Sequence, residues 1–545
     1  MIGAPAEALV AHLDPEQRAA ATLPDGPAQI IAPAGSGKTT TLIARLGVLL
    51  DRGVRPDGIC VVTFNREAAE ELRARIAARL VPVNADASRI EVRTLHALAR
   101  QVLLDAGMLE DLVADRGPLL RAARRRAAIG RSAGAPPLPD VSELDGAISA
   151  LKVERTPVPE PWRLLVDDYA AQLRRRRARD FDDLVVEACR LLESDHALRQ
   201  RWQARFAHVC VDEFQDVDAA QLQLVRLLAE PERNLFVVGD DDQTIYAWRL
   251  ADVRRILQFG TAYPAARRVL LATNYRCPTE VVALSSRLVS ANRERFAKRI
   301  VAGRRGAGRG APGPVLAFAT DAPDWPDRLA AFARAQLPRG RVCFLGRTRS
   351  ELVAPMLALA RAGQAHATRI PVPLEVPGVQ ALVAALEAAP AGAHPFPTLL
   401  HLRRSRGWDR RSMSDEVSDD DHAALDALIG WAVAYPRTDR FLAAVAAASA
   451  RLAALRQPDA PIELITVHGA KGREWPTVVV VGFEADRFPN RRTLVAAREP
   501  ERALEEERRL AYVALTRATE RLVLAFDPAR PSRFLGEAGL DPGPA

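Results

Sequence analysis

Residues 28–41, AQIIAPAGSGKTTT, constrain the fold more than any other stretch of the chain. The apolar run Ile30, Ile31, Ala32 has the length and composition of a buried strand. It breaks into Pro33-Ala34-Gly35-Ser36-Gly37, and the amphipathic segment TTTLIARLGVLL follows at once. Strand, glycine loop, Lys-Thr and helix is the build of a phosphate cradle. Backbone N–H groups from Ala34, Gly35, Ser36, Gly37, Lys38, Thr39 and Thr40 approach the anion, Lys38 reaches the β- and γ-phosphates, and Thr39 offers its hydroxyl to Mg²⁺. The strict pattern carries Gly where this chain has Ala32, a departure of one residue. The stretch reads as a nucleoside triphosphate site; the competing reading is a glycine turn entering an ordinary helix.

Length and charge set the frame around that site. A chain of 545 residues predicts several domains, roughly three or four. It contains no stretch of about eighteen uninterrupted apolar residues and no basic-then-apolar leader, so the expectation is a cytoplasmic protein without a membrane span. Cys60, Cys189, Cys210, Cys277 and Cys343 are scattered and never in CxxC spacing, which suits buried thiols and supports neither a disulfide framework nor a zinc or iron–sulfur site. A net charge of +8 and a pI near 9.6 favour a polyanionic partner. Of 76 basic residues only Lys38, Lys152, Lys298 and Lys471 are lysines. A compact ammonium differs from a planar guanidinium in a tight pocket, and Lys38 and Lys471 sit in motif-like stretches.

Ahead of the first strand, LDPEQR reads as a helix start with Asp14 as N-cap, Pro15 at the first position and Gln17 three residues after the cap. A second strand, residues 59–64, leads into an amphipathic helix capped by Asn65, with Ala68, Leu72, Ile76 and Leu80 on one face. A third, residues 90–92, ends in Thr94-Leu95-His96. Residues 97–178 read as an inserted helical subdomain rich in Arg and Ala, broken by Pro136-Pro137-Leu138-Pro139 and by Pro157, Pro159 and Pro161. Its runs Arg124–Arg126 and Arg174–Arg177 read as solvated faces, with phosphate-backbone contact as the other reading. Strands resume at 207–211, 235–238 and 269–271, ending in Asp212-Glu213, Gly239-Asp240 and Thr273-Asn274-Tyr275-Arg276. Apolar strands alternating with helices predict a parallel α/β sheet with its motifs at the strands' carboxyl ends. After the flexible basic stretch 303–314, a second α/β pattern follows at 315–319, 342–345, 462–467, 478–482 and 522–526. Residues 375–455 interrupt it with a basic patch (RRSRGWDRR), an acidic patch (DEVSDDD) and an Ala-rich helix; the two patches are expected on a mobile surface.

Hydrolysis needs more than a cradle. Asp212 and Glu213 divide the labour, the first holding Mg²⁺ and the second orienting and deprotonating the attacking water; a buried acidic pair at a strand end is the plainer reading. Gln243 follows the next strand and suits sensing of the γ-phosphate, while Arg276 and Arg517 are candidate cations for the developing charge. Tyr246 and Trp248 leave two readings open, stacking on unpaired bases and ordinary core packing.

APAGSGKTT, TFNREAAEEL, TLH, DFDDLV, VDEFQD, VGDDDQTIYAWR, NYRCP, TVHGAKGREW and EEERRLAYVALTRA occur in one order across nearly the whole chain. This set resembles a UvrD/Rep/PcrA-type superfamily 1A DNA helicase, a family that uses AxxGxGKT and so accounts for Ala32. The resemblance implies two RecA-like P-loop domains of parallel-sheet α/β fold, each with a mainly helical insertion. Residues 1–96 and 180–276 would form domain 1A, 97–179 insertion 1B, 277–374 and 456–545 domain 2A, and 375–455 a reduced 2B-like insertion. It implies ATP with Mg²⁺ between the RecA-like domains, and single-stranded DNA moved 3′→5′. By motif match Gln17 would contact adenine and Glu474 the ribose. Gly35, Gly37, Lys38 and Thr39 would hold phosphates and magnesium, Asp212 the metal, Glu213 would be the base, and Gln243, Arg276 and Arg517 would contact the γ-phosphate. Phe64, Thr94, His96, Tyr246, Trp248, Arg249, Thr466 and His468 would line the DNA track, against the plainer reading of His96 and His468 as satisfied surface or core imidazoles. Lys471 matches the family's AKG lysine, to which no role is assigned.

Two departures qualify the resemblance. The second insertion is shorter than the family's 2B domain and lacks its GIG-type signature, and RLVLAFDPAR runs almost directly into Ser532-Arg533-Phe534-Leu535 where the family places a strand-separating pin. The expected function is an ATP-dependent 3′→5′ translocase and helicase acting on single-stranded DNA and its junctions with duplex, in repair or recombination. The alternatives are a helicase-like ATPase subunit of a nuclease or anti-phage defence complex, with a protein partner, and a nucleic-acid-binding ATP switch that does not move. Glu213, Gln243, Arg276 and Arg517 speak against the switch.

Overall fold

The computed structural model describes residues 7, 9–108, 111–129, 138–231, 233–303, 313–370, 372–408 and 419–540. The chain divides into two compact units, Met1–Tyr275 with Glu294–Val301, and Arg276–Arg293 with Ala302–Ala545. The first unit therefore takes back a short piece of chain from within the sequence of the second.

The first unit is built on six parallel strands: β1 (Ala28–Ile31), β2 (Ile59–Thr63), β3 (Glu91–Thr94), β6 (His208–Val211), β7 (Leu235–Gly239) and β8 (Arg267–Leu270), in the order β3-β2-β6-β7-β1-β8. Two further strands, β4 (Asp111–Val113) and β5 (Ala178–Asp180), form a separate parallel ladder at the two ends of the helical insertion. Successive side chains on a strand point to opposite faces, and the cores obey this: Ile31, Val62, Val209 and Val237 join one cluster, Ile30, Val61, Cys210 and Val238 the other. Burial on both faces explains the near-continuous apolar runs.

Helix α1 (Pro15–Ala21) starts as the sequence predicts, with Asp14 and Gln17 closing a reciprocal capping box. Helix α2 (Lys38–Asp51) leaves the glycine loop, and α3 (Arg66–Arg79) is capped by Asn65, burying Ala69, Leu72 and Ile76. Helix α4 (Leu95–Asp105) buries Leu98 and Val102 in the core of the sheet. The insertion has its own core, where α5 (Gly117–Ala128), α6 (Val141–Glu154) and α7 (Arg163–Arg176) bury Leu120, Ile148, Leu165 and Tyr169, and α8 (Phe181–Ser194) returns to the sheet. Arg174–Arg177 are exposed, as read from the sequence, but Arg124 is only 7% exposed and belongs to the interior of α5. Pro136 and Pro137 lie outside the described residues.

The second unit repeats the design. Strands β9 (Val315–Ala319), β10 (Val342–Gly346), β11 (Ala367–Thr368), β12 (Ile462–Thr466), β13 (Trp475–Val481) and β14 (Ala518–Phe526) form a parallel sheet in the order β9-β14-β13-β10-β12-β11. The short β11 escaped the sequence pattern because two residues carry no period. Between β11 and β12, helices α9 (Pro377–Glu387), α10 (Pro395–Ser405), α11 (Asp419–Ala432) and α12 (Thr438–Leu455) close over a core that includes Leu382, Leu399, Leu425 and Phe441. The basic patch is not wholly a surface: Arg403 is buried and donates to the Trp408 carbonyl (3.0 Å) and to Asp426 (2.6 Å). Residues 409–418, which hold the rest of that patch and the start of the acidic one, lie outside the described residues, as do 304–312 of the Gly-rich stretch. All five cysteines are buried, and none is in a disulfide. Among the described residues no helix is long and apolar enough to cross a membrane.

Candidate nucleotide site and nucleic-acid surface

The glycine loop opens α2 without a side-chain cap. Gly35 and Gly37 take φ of 71° and 79°, and Gly37 is itself the residue preceding the helix. The first N–H groups of α2 lack intrahelical acceptors and carry the positive end of the helix dipole, which is what an anion requires. Gly37 is needed for room as well as for φ, since a Cβ there would stand 2.4 Å from Nε2 of Gln17. That amide donates to the Ser36 carbonyl (2.9 Å), and its oxygen accepts the Asp14 N–H (3.3 Å). Gln17 is thus packed on the loop it serves. A primary amide has two N–H groups and two lone pairs, so one of each stays available for a base edge beside those two bonds.

Behind the loop, Lys38 Nζ lies 3.1 Å from Glu213 Oε2. Burial alone would push this ammonium down, but the Glu213, Asp212 and Asp240 carboxylates outweigh it and hold it above its ordinary value. Glu213 sits in the left-handed region with φ 54°, uncommon for a residue with a side chain and typical of functional positions. Its neighbour Asp212 is pushed up to about 6 by burial and then by the Glu213 charge. Thr39 and Asp212 supply hard oxygen donors, and a desolvated carboxylate of this kind is stabilised by a divalent cation, so the residues present fit Mg²⁺.

Gln215 was not singled out from the sequence, yet it joins the two acidic loops. Its amide nitrogen donates to Glu213 Oε2, and its oxygen accepts the Asp240 N–H at 3.0 Å. A Cβ on Gly239 would lie 2.6 Å from that oxygen, so the glycine ending β7 makes the bridge possible. Gln243 continues the chain, its amide donating to Asp240 Oδ2 at 2.6 Å. The only signal available in the sequence is an amide two positions after Glu213, in VDEFQD.

The remaining nucleotide candidates converge in the second unit from three distant motifs. Arg276 Nε donates to Glu474 Oε2 at 2.5 Å and its guanidinium reaches the Thr516 carbonyl at 3.4 Å. Arg517 is 1% exposed and donates to the carbonyls of Val513 (3.0 Å) and Arg473 (3.2 Å) and to the Thr516 hydroxyl (3.2 Å). Arg517 follows helix α13 (Pro500–Leu515), so its charge also complements that helix's carbonyl end.

The aromatic residues split the two readings left open by the sequence. Phe64 and Tyr246 stack at 4.6 Å with an interplanar angle of 19°, and Tyr246 meets Trp248 edge-on at 6.2 Å. Tyr246 is packed; Trp248 is 62% exposed, with the Arg249 guanidinium 4.8 Å over its face, and is not a core residue. Thr94 caps α4 by accepting the Ala97 N–H. His96, two residues on, meets Phe181 edge-on at 5.5 Å. Phe181 is 40% exposed and enlarges the aromatic surface; its motif, DFDDLV, was visible in the sequence but the ring's exposure was not. Burial lowers the His96 pKa, Asp182 opposes this and Arg249 adds to it. Thr466 ends β12 in the second unit and His468 follows it; burial, then Arg347 and Lys471, lower His468 to about 4, so its imidazole is neutral at physiological pH.

Comparison with known proteins identifies the family. Residues 13–124 and 142–264 match the UvrD/REP helicase N-terminal domain, and residues 437–527 the UvrD-like helicase C-terminal domain. The chain is 29% identical to the ATP-dependent DNA helicase UvrD2 of Mycobacterium tuberculosis, over 97% of this chain and 81% of the relative. It is 26% identical to the putative ATP-dependent DNA helicase YjcD of Bacillus subtilis, over 96% and 80%. Against the ATP-dependent DNA helicase PcrA of Staphylococcus aureus it reaches 34%, over 53% of this chain and 42% of the relative. With both family signatures matched in order on two parallel-sheet units, the chain belongs to the UvrD/REP helicase family.

Proposed function

We propose that the protein is an ATP-dependent 3′→5′ single-stranded DNA translocase and helicase, and that its working context is DNA repair or recombination. The observation that carries the reading is the stretch 240–249. At one end Asp240 and Gln243 are hydrogen-bonded into the chain that runs through Gln215 and Glu213 to Lys38; at the other, Trp248 and Arg249 present a ring and a cation to solvent beside the packed Tyr246. One short loop therefore links phosphate chemistry to a surface suited to bases. The direction of movement and the repair context rest on the family resemblance alone.

In the proposed mechanism the N–H groups at the start of α2 and the Lys38 ammonium hold the phosphates. Glu213 accepts the proton of the attacking water, and Gln243 registers whether a γ-phosphate is present. Arg276 and Arg517 supply positive charge to the transferred phosphoryl group, Glu474 receives the ribose, and Gln17 the adenine. Thr39 and Asp212 would hold Mg²⁺, which neutralises phosphate charge when bound.

Single-stranded DNA is expected to stimulate ATP hydrolysis, and ATP to drive displacement of streptavidin from a 5′-biotinylated but not from a 3′-biotinylated oligonucleotide. Stimulation without displacement from either end would select the non-translocating switch, and displacement from the 3′ end would reverse the polarity. Replacing Trp248 by Ala removes one stacking face and is expected to weaken single-stranded DNA binding by about 1–3 kcal/mol without changing ATP affinity. Fluorescence anisotropy of a labelled oligonucleotide at fixed salt measures it, and an unchanged dissociation constant would remove Trp248 from the DNA surface.

A further inference from the structure

The loop that bears Gln243 is held from behind by residues that no motif reading assigned. Asp240, Asp241 and Asp242 gather carboxylate oxygens within 4.8 Å of one another, a grouping that resembles a cation site. Its cation is already in place. Lys298 Nζ lies 3.0 Å from Asp240 Oδ1 and 2.8 Å from Asp242 Oδ2 and also bonds Asp241, with all four side chains fully buried. Arg295 pairs with both oxygens of Asp242 at 2.9 and 2.8 Å, and the Phe296 N–H donates to Asp241 at 2.8 Å. These three residues come from Glu294–Val301, the piece that the first unit takes back from within the second unit's sequence.

The two oxygens of Asp240 divide between the partners. Oδ1 receives the Lys298 ammonium, and Oδ2 receives the Gln243 amide at 2.6 Å. The Asp240 backbone N–H is bound by Gln215, which also bonds Glu213. We propose that Lys298, supported by Arg295, is a positioning residue for ATP hydrolysis: by fixing the Asp240 carboxylate it fixes the Gln243 amide, and with it recognition of the γ-phosphate. The proposal rests on the reading of Gln243 as the γ-phosphate sensor. A lysine suits the place because it brings three donors to three carboxylates from a single compact nitrogen, whereas a guanidinium spreads its donors over a wider plane.

Lys298→Met alone leaves three buried carboxylates short of a cation, so the decisive variant is Lys298→Met/Asp241→Asn, which removes one charge of each sign and keeps the pocket's net charge. The expected result is a fall in kcat of roughly 10²-fold, the cost of a small misplacement at a reacting centre, with ADP affinity unchanged. The preference for AMPPNP over ADP, measured with fluorescent nucleotides, should collapse toward one. A role confined to charge burial predicts instead that the double variant regains wild-type kcat and nucleotide preference, and that result overturns the proposal. If the double variant is not recovered folded by circular dichroism, Arg295→Gln at the rim of the cluster is read by the same two measurements, with wild-type values again overturning it. Wild-type protein that neither hydrolyses ATP nor prefers AMPPNP to ADP would instead refute the functional reading on which this rests.

Discussion

Glu213→Gln is expected to lower ATP turnover by roughly 10²–10⁴-fold, the range for loss of a general base, while leaving nucleotide binding in place. The amide is nearly isosteric with the carboxylate, so the left-handed backbone at this position and the contact with Gln215 persist. What is lost is the negative charge that accepts a proton and faces Lys38 at 3.1 Å. The contrast is with Lys38→Ala, which leaves Glu213 intact but removes the cation from the phosphates and should weaken ATP binding itself. Phosphate-release kinetics alongside calorimetric nucleotide titration separates the two variants. A Glu213→Gln enzyme that keeps more than about a tenth of wild-type turnover would be incompatible with the base role, given the size of that effect in other enzymes.

The largest expected effect on stability lies away from the nucleotide. Asp180 ends β5 and caps α8, accepting the Asp183 N–H at 3.0 Å. It is fully buried, and it binds Lys152 at 2.6 Å, Arg116 at 3.1 Å and the Tyr169 hydroxyl at 2.7 Å. Burial opposes its charge, but Arg116 and Lys152 prevail and hold it at about 2. Because the folded pKa is depressed, the stabilisation is present above the ordinary carboxylate range and is lost as pH falls toward 2. Asp180→Ala should cost about 3 kcal/mol, the lower end for removing one partner of a buried pair, because Arg116 keeps Asp182 and Lys152 keeps Asp183. Asp145→Asn, at the exposed rim of the same network, should cost under about 1 kcal/mol. Urea unfolding followed at several wavelengths compares the two. Equal costs would mean that burial of Asp180 contributes nothing.

Much of the fold was legible because its signals are local. Parallel strands buried on both faces leave apolar runs, and the strand ends carry the motifs, so eleven of the twelve strands of the two sheets were visible to within a few residues. The capping box of α1 and the cap of α3 also stood in the sequence, since each needs only neighbours. The candidate site was legible where a residue is assigned to a ligand directly and illegible where it acts on another residue. Gln215, Arg295 and Lys298 belong to the second kind: each matters through a partner tens of residues away, and no spacing announces such a pair. One compositional clue was nonetheless there. In a chain that writes arginine almost everywhere, Lys38, Lys152 and Lys298 each face a buried or half-buried carboxylate at 3.1 Å or closer. The scarcity of lysine marks sites where a compact charge is wanted; the motifs point to Lys38 and Lys471 and give no such sign for Lys152 and Lys298. Arg124 and Arg403 failed in the opposite sense: a run of arginines says nothing about which member turns inward.

The return of Glu294–Val301 to the first unit has a consequence for how the molecule is made. A ribosome releases the phosphate loop and both acidic loops long before it releases Lys298. Until then Asp240, Asp241 and Asp242 have no buried cation, and packing them away is costly. The first unit cannot finish folding as a contiguous amino-terminal block; it must wait for chain that has already begun the second. A fragment ending at Tyr275 inherits the same defect permanently. Synthesis order thus withholds the completed Asp240–Gln243 loop until the start of the second unit's sequence has been made.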